Sequence, residues 1–380
     1  MKVLYINHSS GIQGACIALF NMINGVSKYG VEPVVVLPHD GPLANRFREI
    51  GVKVFFVKHY NAVYPRLKTA SDYFLFPYRL IRTLIVNQLA LRRFRKIVQE
   101  VLPDIIHSNS GVIRFGAIIA DEQKIPHIWH VREFQSKDYF CPLGGRRRVK
   151  ELFHQDHNHC IAITKAVADF FDLDLSKDYV IYDGVFSEDC KVPKVIEKKK
   201  YILFVGSLQK GKGIYDALYA FDSIASVIPK YELWLAGKDY IGIYQEINRC
   251  KNAAQIKYLG FRSDIYDLMA NATALLVPSY FEGFGFISVE AMLNRTVVIG
   301  RDVAGTKEQF DNGLLYFGGE IGIRFTTTDE LSQAIYNVCT RPSTDFQDMV
   351  ENAYHMVMNC YTIEKNAQII LSVYEQLLQQ

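Results

Sequence analysis

Short β-rich runs alternate with helical patterns along almost the whole chain, and few folds accommodate such a pattern. Up to residue 184 the runs are VLYIN, EPVVVLP, VKVFFVK, DIIHSNS, PHIWHV, CIAIT and YVIYDG. From residue 201 they are YILFVGS, YELWLAG, IKYLGF, ALLVPS and TVVIG. This alternation predicts parallel sheets with helices on both faces. The chain is therefore predicted to be an α/β protein with two doubly wound, Rossmann-like domains.

A polar stretch, SEDCKVPKVIEKKK, interrupts the alternation at 187–200, and we interpret it as a linker. After Thr326 the β-rich runs stop, and helical segments cover Glu330 to Thr340 and then Phe346 to the C-terminus. We place the domains at 1–188 and 189–360, followed by a terminal helix at 361–380. Two such domains are expected to face a cleft lined by the carboxyl ends of their strands.

The composition excludes several other classes of protein. With 49% hydrophobic and 22% charged residues, it is typical of a soluble globular protein, and a net charge of +3 is too small to indicate a nucleic-acid partner. The seven cysteines include no CxxC pair, which favours a reducing cytoplasm over a disulfide framework or a zinc site. The apolar run in MKVLYINHSS is too short for a signal peptide, and no run is long enough to span a membrane.

A glycine-rich loop, GSLQKGKG, follows the first strand of the second domain at 206–213. Its glycines let the backbone approach a ligand, Lys212 supplies positive charge, and the following helix offers free N–H groups. These features suit a phosphate group. The alternative is a tight turn between a strand and a helix with no ligand.

A second loop, in EGFGFISVE at 282–290, has a carboxylate at each end of an apolar stretch. If the segment after Gly285 is helical, Glu290 falls on the side that such a helix normally buries. A carboxylate there needs a partner. It could accept two hydrogen bonds from a vicinal diol such as a ribose, or it could pair with a nearby Arg or Lys.

These motifs together resemble those of the retaining glycosyltransferases of family 4, which have the two-Rossmann GT-B fold. EGFGFISVE is similar to the family's E-x7-E signature and VPSYFEGFG to its PS-x-x-EGFG. LFVGSLQKGKG is similar to its G-R-L-x-x-E-K-G, and VIYDGV to its NGV. The resemblance covers most of Tyr201 to Phe317 and continues more loosely through the first domain. It implies a first domain for the acceptor, a second for the nucleotide-sugar donor, and a terminal helix that packs back on the first.

The resemblance also implies roles for the donor-domain residues. Glu290 would bind the ribose of the donor, Glu282 would contact the donor sugar, and Lys212 would neutralise the diphosphate leaving group. Phe261 and Arg262 lie where the family holds the base, and Glu308 lies where the family has an acidic residue, unless it is a solvated helix charge. The remaining donor contacts are implied for Ser207, Gly283, Phe284, Gly285 and Phe286.

In the first domain, HSSGIQGACIAL resembles the family's glycine loop, so the amide of Gly14 is expected near the diphosphate. His130 ends the strand IPHIWHV and matches the family histidine near the reacting centre. A structural histidine is the alternative, but the position at a strand end favours the site. Arg132 and Glu133, just beyond, are candidates for acceptor binding.

The chain also departs from the family pattern. Ser207 stands where the family usually has an arginine, which removes one cation from the diphosphate site, and Lys210 or Arg262 could compensate. Asp183 replaces the asparagine of NGV. No DxD-type pair accompanies the motifs, so we expect no metal and no cofactor beyond the co-substrate, a UDP- or GDP-linked sugar.

The segment from Tyr73 to Leu91 mixes aromatic and aliphatic residues with arginines. Further basic residues follow at 92–96 and in GGRRRVK. This pattern suits a helix at an anionic membrane surface, and a buried amphipathic helix is the alternative. Family members that build bacterial surface polysaccharides often act on lipid-linked acceptors at the inner leaflet. We therefore expect a cytoplasmic protein, with peripheral contact to the inner face of the membrane as the second possibility.

We predict a metal-independent glycosyltransferase that retains anomeric configuration and acts on a glycan or lipid-linked acceptor. A sugar-nucleotide epimerase of the same fold is one alternative, and it would need no acceptor. A non-catalytic protein that binds nucleotide sugars is the other, and Ser207 is the feature in its favour.

Overall fold

The structure, a computed structural model, describes residues 1–135, 140–155, 157–193 and 197–379. Within these residues the chain divides into two compact units. One contains Met1–Phe186 together with Ile363–Gln380, and the other contains Ser187–Thr362. The division lies between Phe186 and Ser187, at the start of the stretch interpreted as a linker, of which residues 194–196 lie outside the described residues.

The first unit is built on a parallel sheet of seven strands in the order β3-β2-β1-β5-β6-β8-β9, with β4 and β7 as a separate antiparallel pair. Its strands are β1 (Lys2–Ile6), β2 (Glu32–Leu37), β3 (Lys53–Phe56), β4 (Val63–Pro65), β5 (Ile105–Ser108), β6 (His127–Val131), β7 (Phe140–Pro142), β8 (Asn158–Ala162) and β9 (Tyr179–Val180). The predicted parallel sheet is present. Its central strands are buried on both faces, which is why they read as continuous apolar runs in the sequence.

The helices of the first unit cover its sheet, and the last of them comes from the C-terminus. They are α1 (Gly14–Ser27), α2 (Pro42–Glu49), α3 (Ala70–Val101), α4 (Phe115–Gln123), α5 (Gly145–Phe153), α6 (Lys165–Phe171) and α14 (Ile363–Leu378). The α14 side chains Ile370, Val373 and Leu377 join the core of this unit. A Cβ on Gly25 of α1 would lie 2.8 Å from the Cβ of Ala367, so the two helices pack in close contact.

Helix α3 is unusual because its first five turns carry exposed apolar side chains. Thr69 caps it, accepting a hydrogen bond from the backbone of Asp72. Its buried residues begin only at Ala90. The large apolar side chains exposed before that point are Tyr73, Phe74, Leu75, Tyr78, Ile81, Leu84, Ile85 and Leu89. Among the described helices, none is both long and apolar enough to cross a membrane.

The second unit has a six-stranded parallel sheet in the order β12-β11-β10-β13-β14-β15. The strands are β10 (Tyr201–Val205), β11 (Glu232–Ala236), β12 (Ile256–Gly260), β13 (Ala274–Val277), β14 (Val297–Arg301) and β15 (Ile323–Phe325). This is the strand order of a doubly wound dinucleotide-binding sheet. The short strand β15 has no counterpart among the predicted strands.

Seven helices accompany this sheet within the described residues. They are α7 (Ile214–Ile224), α8 (Ile243–Asn248), α9 (Ile265–Asn271), α10 (Phe286–Leu293), α11 (Ala304–Phe317), α12 (Thr328–Thr340) and α13 (Gln347–Cys360). The region predicted to be helical from Phe346 onwards is divided. α13 ends before Tyr361, and α14 starts at Ile363 in the other unit.

Candidate functional site

The strand order of the second unit determines where a ligand can bind. β10 lies beside β13, and the chain leaves these two strands in opposite directions across the sheet. Parallel sheets bind ligands in the crevice outside the carboxyl ends of such a pair. The two loops that follow these strands, 206–213 and 278–285, are the glycine-rich loop and the EGFG loop.

Gly213 brings these two loops into contact. Its φ of +72° lies in the left-handed region, and a Cβ there would lie 2.1 Å from the carbonyl oxygen of Pro278. No side chain fits at that distance. The close packing of the two loops therefore requires a glycine at position 213. The same packing places Lys212 beside the EGFG loop.

Lys212 and Glu282 form the ion pair that joins the two loops. The Lys212 Nζ atom lies 2.8 Å from Oε2 of Glu282, and both side chains remain partly exposed. A partly exposed ammonium group can exchange one anionic partner for another at little cost. The pair thus holds an ammonium group at the loop junction.

Helix α11 holds the EGFG loop in place. The Gln309 side chain donates hydrogen bonds to the carbonyl oxygens of Phe284, at 2.6 Å, and of Gly285, at 3.2 Å. The Gly305 amide donates to the Glu282 carbonyl oxygen. The sequence motif GTKEQF pointed to Glu308, which is half-buried, whereas its neighbours Gly305 and Gln309 fix the loop. Sequence reasoning missed both of them.

Glu290 lies in α10, which begins directly after this loop. Its surroundings show which of the two expected partners its carboxylate has. Among the residues that the structure describes, its carboxylate accepts no hydrogen bond and forms no ion pair, so the proposed Arg or Lys partner is not present there. Burial raises the pKa of Glu290 from 4.5 to about 7. The site therefore holds a desolvated carboxylate that a hydrogen-bond donor would stabilise.

The predicted base-binding residues lie on the surface after β12. Phe261 is 85% exposed, an unusual position for a phenyl ring. Arg262 donates two hydrogen bonds to Asp264, at 2.8 and 2.5 Å. Ser207 is half-buried in the glycine-rich loop, and Lys210 is exposed. Arg262 thus already has an anionic partner. It is therefore a weaker candidate to supply the positive charge that the family's arginine provides at the position of Ser207.

In the first unit the equivalent crevice lies outside β1 and β5. The loops that follow these strands are joined by a hydrogen bond of 2.8 Å from Asn109 Nδ2 to Asn7 Oδ1. Gly14 begins α1 at the end of the first loop, and a Cβ built on it would meet nothing within 4 Å. The space on the Cβ side of Gly14 is therefore open.

A buried polar network surrounds His130 at the end of β6. The Arg132 guanidinium donates to Asn109 Oδ1 at 2.8 Å, to a carboxylate oxygen of Asp183, and to His130 Nδ1 at 3.3 Å. His107 Nε2 lies 3.1 Å from the same His130 Nδ1. Burial is the main cause that raises the pKa of Asp183, although the charge of Arg132 opposes it.

The network sets the protonation of His130. Burial, followed by the charges of Arg132 and His107, lowers its pKa well below the usual value, so the imidazole is neutral. Because an arginine can only donate, Nδ1 of His130 must accept, and the ring proton lies on Nε2. This Nε2 has no hydrogen-bond partner among the described residues. His130 therefore offers an unused N–H donor at a strand end.

The other predicted residues of this unit lie close by. Arg132 is only 6% exposed, and its bonds hold the network together. Glu133 is half-buried and accepts a hydrogen bond of 2.8 Å from Ser110 Oγ. The acceptor contacts of both residues stay predictions.

The network extends to the C-terminal helix, which sequence reasoning did not anticipate. His107 Nδ1 lies 2.7 Å from the Tyr374 hydroxyl, and this hydroxyl lies 3.1 Å from that of Tyr5. α14 thus contributes a buried polar side chain to the surroundings of His130. A tyrosine among apolar helix residues gives no sequence signal for such a contact.

No group of three or more His, Cys, Asp or Glu side chains in the described parts of the chain is arranged to hold a metal ion. Independence from metal stays a prediction.

Two Rossmann-like halves, each with its loops at the carboxyl ends of parallel strands, define the GT-B class of glycosyltransferase folds. Within that class, the family described as glycosyl transferases group 1 matches residues 186–356. The second unit is therefore similar to domains of the glycosyl transferases group 1 family.

Curated relatives agree with this family. An uncharacterized glycosyltransferase, MJ1178 of Methanocaldococcus jannaschii, is 28% identical over 56% of this chain and 60% of its own length. The O-antigen chain mannosyltransferase RfbU of Salmonella typhimurium is 29% identical over 60% of this chain and 64% of its own. The matches thus span less than two thirds of these relatives.

Solved structures show the same fold along the whole chain. HepE of Anabaena, solved with UDP, superposes with a TM-score of 0.79 at 21% identity and covers 99% of this chain and 100% of its own. HepE has also been solved with UDP-glucose. At this level of identity, the similarity establishes the fold.

Proposed function

We propose that this protein is a retaining glycosyltransferase of family 4. It transfers a sugar from a UDP- or GDP-linked donor to a glycan or a lipid-linked saccharide. The observation that carries the proposal is the desolvated carboxylate of Glu290, which lacks a partner within the described parts of the chain and lies beside the crevice outside β10 and β13. The presence of UDP and UDP-glucose in HepE and the name of RfbU as an O-antigen chain mannosyltransferase support it.

On this proposal the donor nucleotide occupies the crevice of the second unit. The ribose hydroxyls donate to Glu290, which gives the buried carboxylate the partners it lacks. Lys212 moves from Glu282 towards the diphosphate, and the loop residues Gly283, Phe284, Gly285 and Phe286 line the donor sugar with Glu282. Since the exposed ring of Phe261 has a free face, we assign it to stacking on the base.

The first unit supplies the remaining donor contacts. Gly14 is exposed and begins α1, and we assign its amide to the diphosphate. His130 Nε2 donates to a hydroxyl of the donor sugar, and the neutral ring avoids placing a second cation beside Arg132. Arg132 and Glu133 are assigned to the acceptor side. Glu133 contacts the acceptor through its side chain, and Arg132 holds the polar network around His130 in place.

The reaction exchanges one bond to the anomeric carbon for another on the same face of the sugar. The bond to the diphosphate oxygen breaks, and the acceptor oxygen bonds to the anomeric carbon. The acceptor proton passes to the departing phosphate, so no carboxylate nucleophile is assigned. The protein contributes positioning and stabilisation of the charge on the leaving group.

The first test is thermal stabilisation by UDP, GDP, ADP, CMP and their sugar conjugates, on wild type and Glu290→Gln. A nucleotide at a thousandfold excess over its Kd should stabilise the wild type by about 4 kcal/mol. Because hydrogen bonds to charged groups contribute about 1.5–3 kcal/mol each, we expect the variant to bind about a hundredfold more weakly. Its stabilisation should fall to about 1.4 kcal/mol.

Without nucleotide, the same variant should be the more stable protein. The folded pKa of Glu290 is about 7 against 4.5 in solution. The cost of its burial therefore grows as pH rises from 4.5 to 7, to on the order of 3 kcal/mol. Nucleotide binding to wild type should weaken below pH 7, because the ribose needs the ionised form. Equal nucleotide stabilisation of both proteins would contradict the ribose role.

We further propose that the protein is cytoplasmic and that α3 contacts the inner face of the membrane. Phe74 is 84% exposed and Tyr78 65% exposed on a helix that also carries several arginines. Apolar side chains exposed in one continuous region mark an interaction surface, and arginines beside them favour an anionic one.

Pelleting with anionic vesicles tests this contact. Wild type should pellet at low salt and be released at high salt, because surface charges are screened. Phe74→Ser with Tyr78→Ser should lower the partition coefficient at least about tenfold, since burying one aromatic side chain contributes about 1.5–3 kcal/mol. Tyr219→Ser with Tyr244→Ser, equally exposed in the second unit, is the control. Full recovery of wild type in the supernatant at both salt concentrations would end the proposal.

A further inference from the structure

A cavity of about 680 Å³ lies in the first unit between α3, the β4–β7 pair and α5. One side of it is apolar and is formed by Tyr64, Phe76, Leu80, Leu84 and Leu143. A smaller cavity of about 160 Å³ adjoins it and shares four of these side chains. The volume falls in the range of cavities that bind small molecules.

The opposite side of the cavity is basic. Arg114, Arg147 and Arg148 line it together with one carboxylate, Glu151. Glu151 lies 3.1 Å from Arg147 and 3.3 Å from Arg148. One carboxylate opposite three guanidinium groups leaves an excess of positive charge, so the lining is complementary to an anion.

Arg114, whose guanidinium donates to the Leu143 carbonyl oxygen, adds to the positive charge on this side. It is half-buried at the start of α4, and burial together with the charge of Arg148 lowers its pKa. Its cationic form is thus held at a cost in this position. A phosphate between Arg114 and Arg148 would offset both the desolvation of Arg114 and its repulsion by Arg148.

The apolar side continues along α3. Phe76, Leu80 and Leu84 are spaced by four residues and form one stripe of the helix. The stripe leads from the cavity to exposed apolar side chains on the neighbouring turns, including Tyr73 and Ile81. A hydrocarbon chain longer than the cavity could therefore stay in contact with apolar surface.

The basic side adjoins the residues predicted for the acceptor. Arg114 ends the loop that follows β5, and Ser110 of this loop donates to Glu133. Arg114 lies four positions after Ser110, a span of at most about 14 Å. The backbone of Leu143 is tied to the same loop, through hydrogen bonds from Leu143 to Ala62 and from Ala62 to Val112.

We propose that this cavity binds the phosphate or diphosphate of a long-chain lipid that carries the acceptor saccharide. The phosphate lies among Arg114, Arg147 and Arg148, and the hydrocarbon lies along the α3 stripe. The proximity of the loop to Glu133 favours a lipid-linked saccharide over a bulk phospholipid, because the sugar then extends towards the acceptor residues. The proposal rests on the glycosyltransferase function and names its acceptor class.

Equilibrium dialysis of the full chain tests this site with soluble probes, in the presence of excess UDP to fill the donor site. Farnesyl diphosphate should bind saturably. Farnesol lacks the anion and inorganic diphosphate lacks the chain, so each should bind at least tenfold more weakly. A short two-chain phosphatidylglycerol should also bind at least tenfold more weakly, and equal binding would overturn the proposal in favour of a bulk-lipid surface.

Two variants locate the site. Arg147→Gln with Arg148→Gln should weaken farnesyl diphosphate binding at least tenfold, and Leu80→Ser should do the same. Arg92→Gln, an exposed arginine elsewhere on α3, should bind like wild type. Wild-type binding by the cavity variants, or no binding by wild type, would overturn the proposal.

The UDP-induced thermal shift of each variant separates this proposal from the proposed function. Cavity variants that lose the lipid probe but keep the UDP shift are the expected result. A wild-type protein that binds the lipid probe and shows no shift with any nucleotide would overturn the donor assignment and leave the cavity site standing. A variant that loses both has misfolded, and Arg147→Lys with Arg148→Lys then decides: the proposal requires that this pair bind the probe.

Discussion

Lys212→Met should lower kcat/KM by about a thousandfold while leaving the fold intact. Its ammonium group is the cation held at the junction of the two loops in the crevice, 2.8 Å from Glu282. The charge on the diphosphate grows as the glycosidic bond breaks, so the ammonium stabilises the transition state more than the bound donor. Removal of one group that stabilises developing charge costs about 10²–10³ in rate. Because Ser207 already replaces the family's arginine, we expect the loss in rate to lie at the upper end of this range.

The measurement is steady-state sugar transfer with the donor that stabilises the wild type most. Lys212→Arg keeps the charge and should recover much of the rate, whereas Lys230→Met removes an exposed lysine at the other end of the sheet and should change nothing. The thermal stability of Lys212→Met should change by no more than about 1 kcal/mol, because the ion pair with Glu282 is partly exposed. Activity within threefold of wild type would show that Lys212 has no role at the leaving group.

Asp183→Ala should destabilise the first unit by about 3–5 kcal/mol. Asp183 is the carboxylate that neutralises Arg132, and both side chains are buried. Removing one partner of a buried ion pair leaves the other charge desolvated, which costs that amount. Asp183→Asn keeps a hydrogen-bond acceptor for the guanidinium and should cost less.

The two tryptophans allow this loss to be assigned to one unit. Trp129 lies in the first unit and Trp234 in the second. In a Trp234→Phe background, the fluorescence change in urea reports the first unit alone, and its midpoint should fall for Asp183→Ala. The double variant with Arg132→Met should recover part of the loss, because no unpaired charge remains. A midpoint equal to that of the background protein would show that Arg132 finds another partner.

Much of the fold was readable because parallel sheets leave a clear pattern. Strands such as VLYIN and YILFVGS are buried on both faces, so their apolar runs stand out between helical segments. The pair β4–β7 and strand β15 were missed, because runs of three residues carry no periodicity. The break between α13 and α14 was missed because helical patterns continue on both sides of it.

Part of the site was readable for a different reason. The glycines of the two crevice loops and Glu290 stand out because their residue types conflict with their local surroundings. Gln309 and Gly305 escaped notice, since a glutamine and a glycine near the start of a helix are unremarkable locally. Their importance arises from the EGFG loop, which precedes them by more than twenty residues and packs against them.

The sequence by itself determined most of the strand and helix segments and the two loops that carry Lys212 and Glu290. These features depend on periodicity and on residue types within a few positions of one another. Only the tertiary structure decided that Glu290 has no partner among the described residues, that Arg132 and Asp183 form a buried pair and that Tyr374 of the last helix reaches His107. It also decided that the apolar face of α3 is exposed beside a basic cavity. Burial and partner choice depend on residues distant in sequence, and a single sequence does not record those distances.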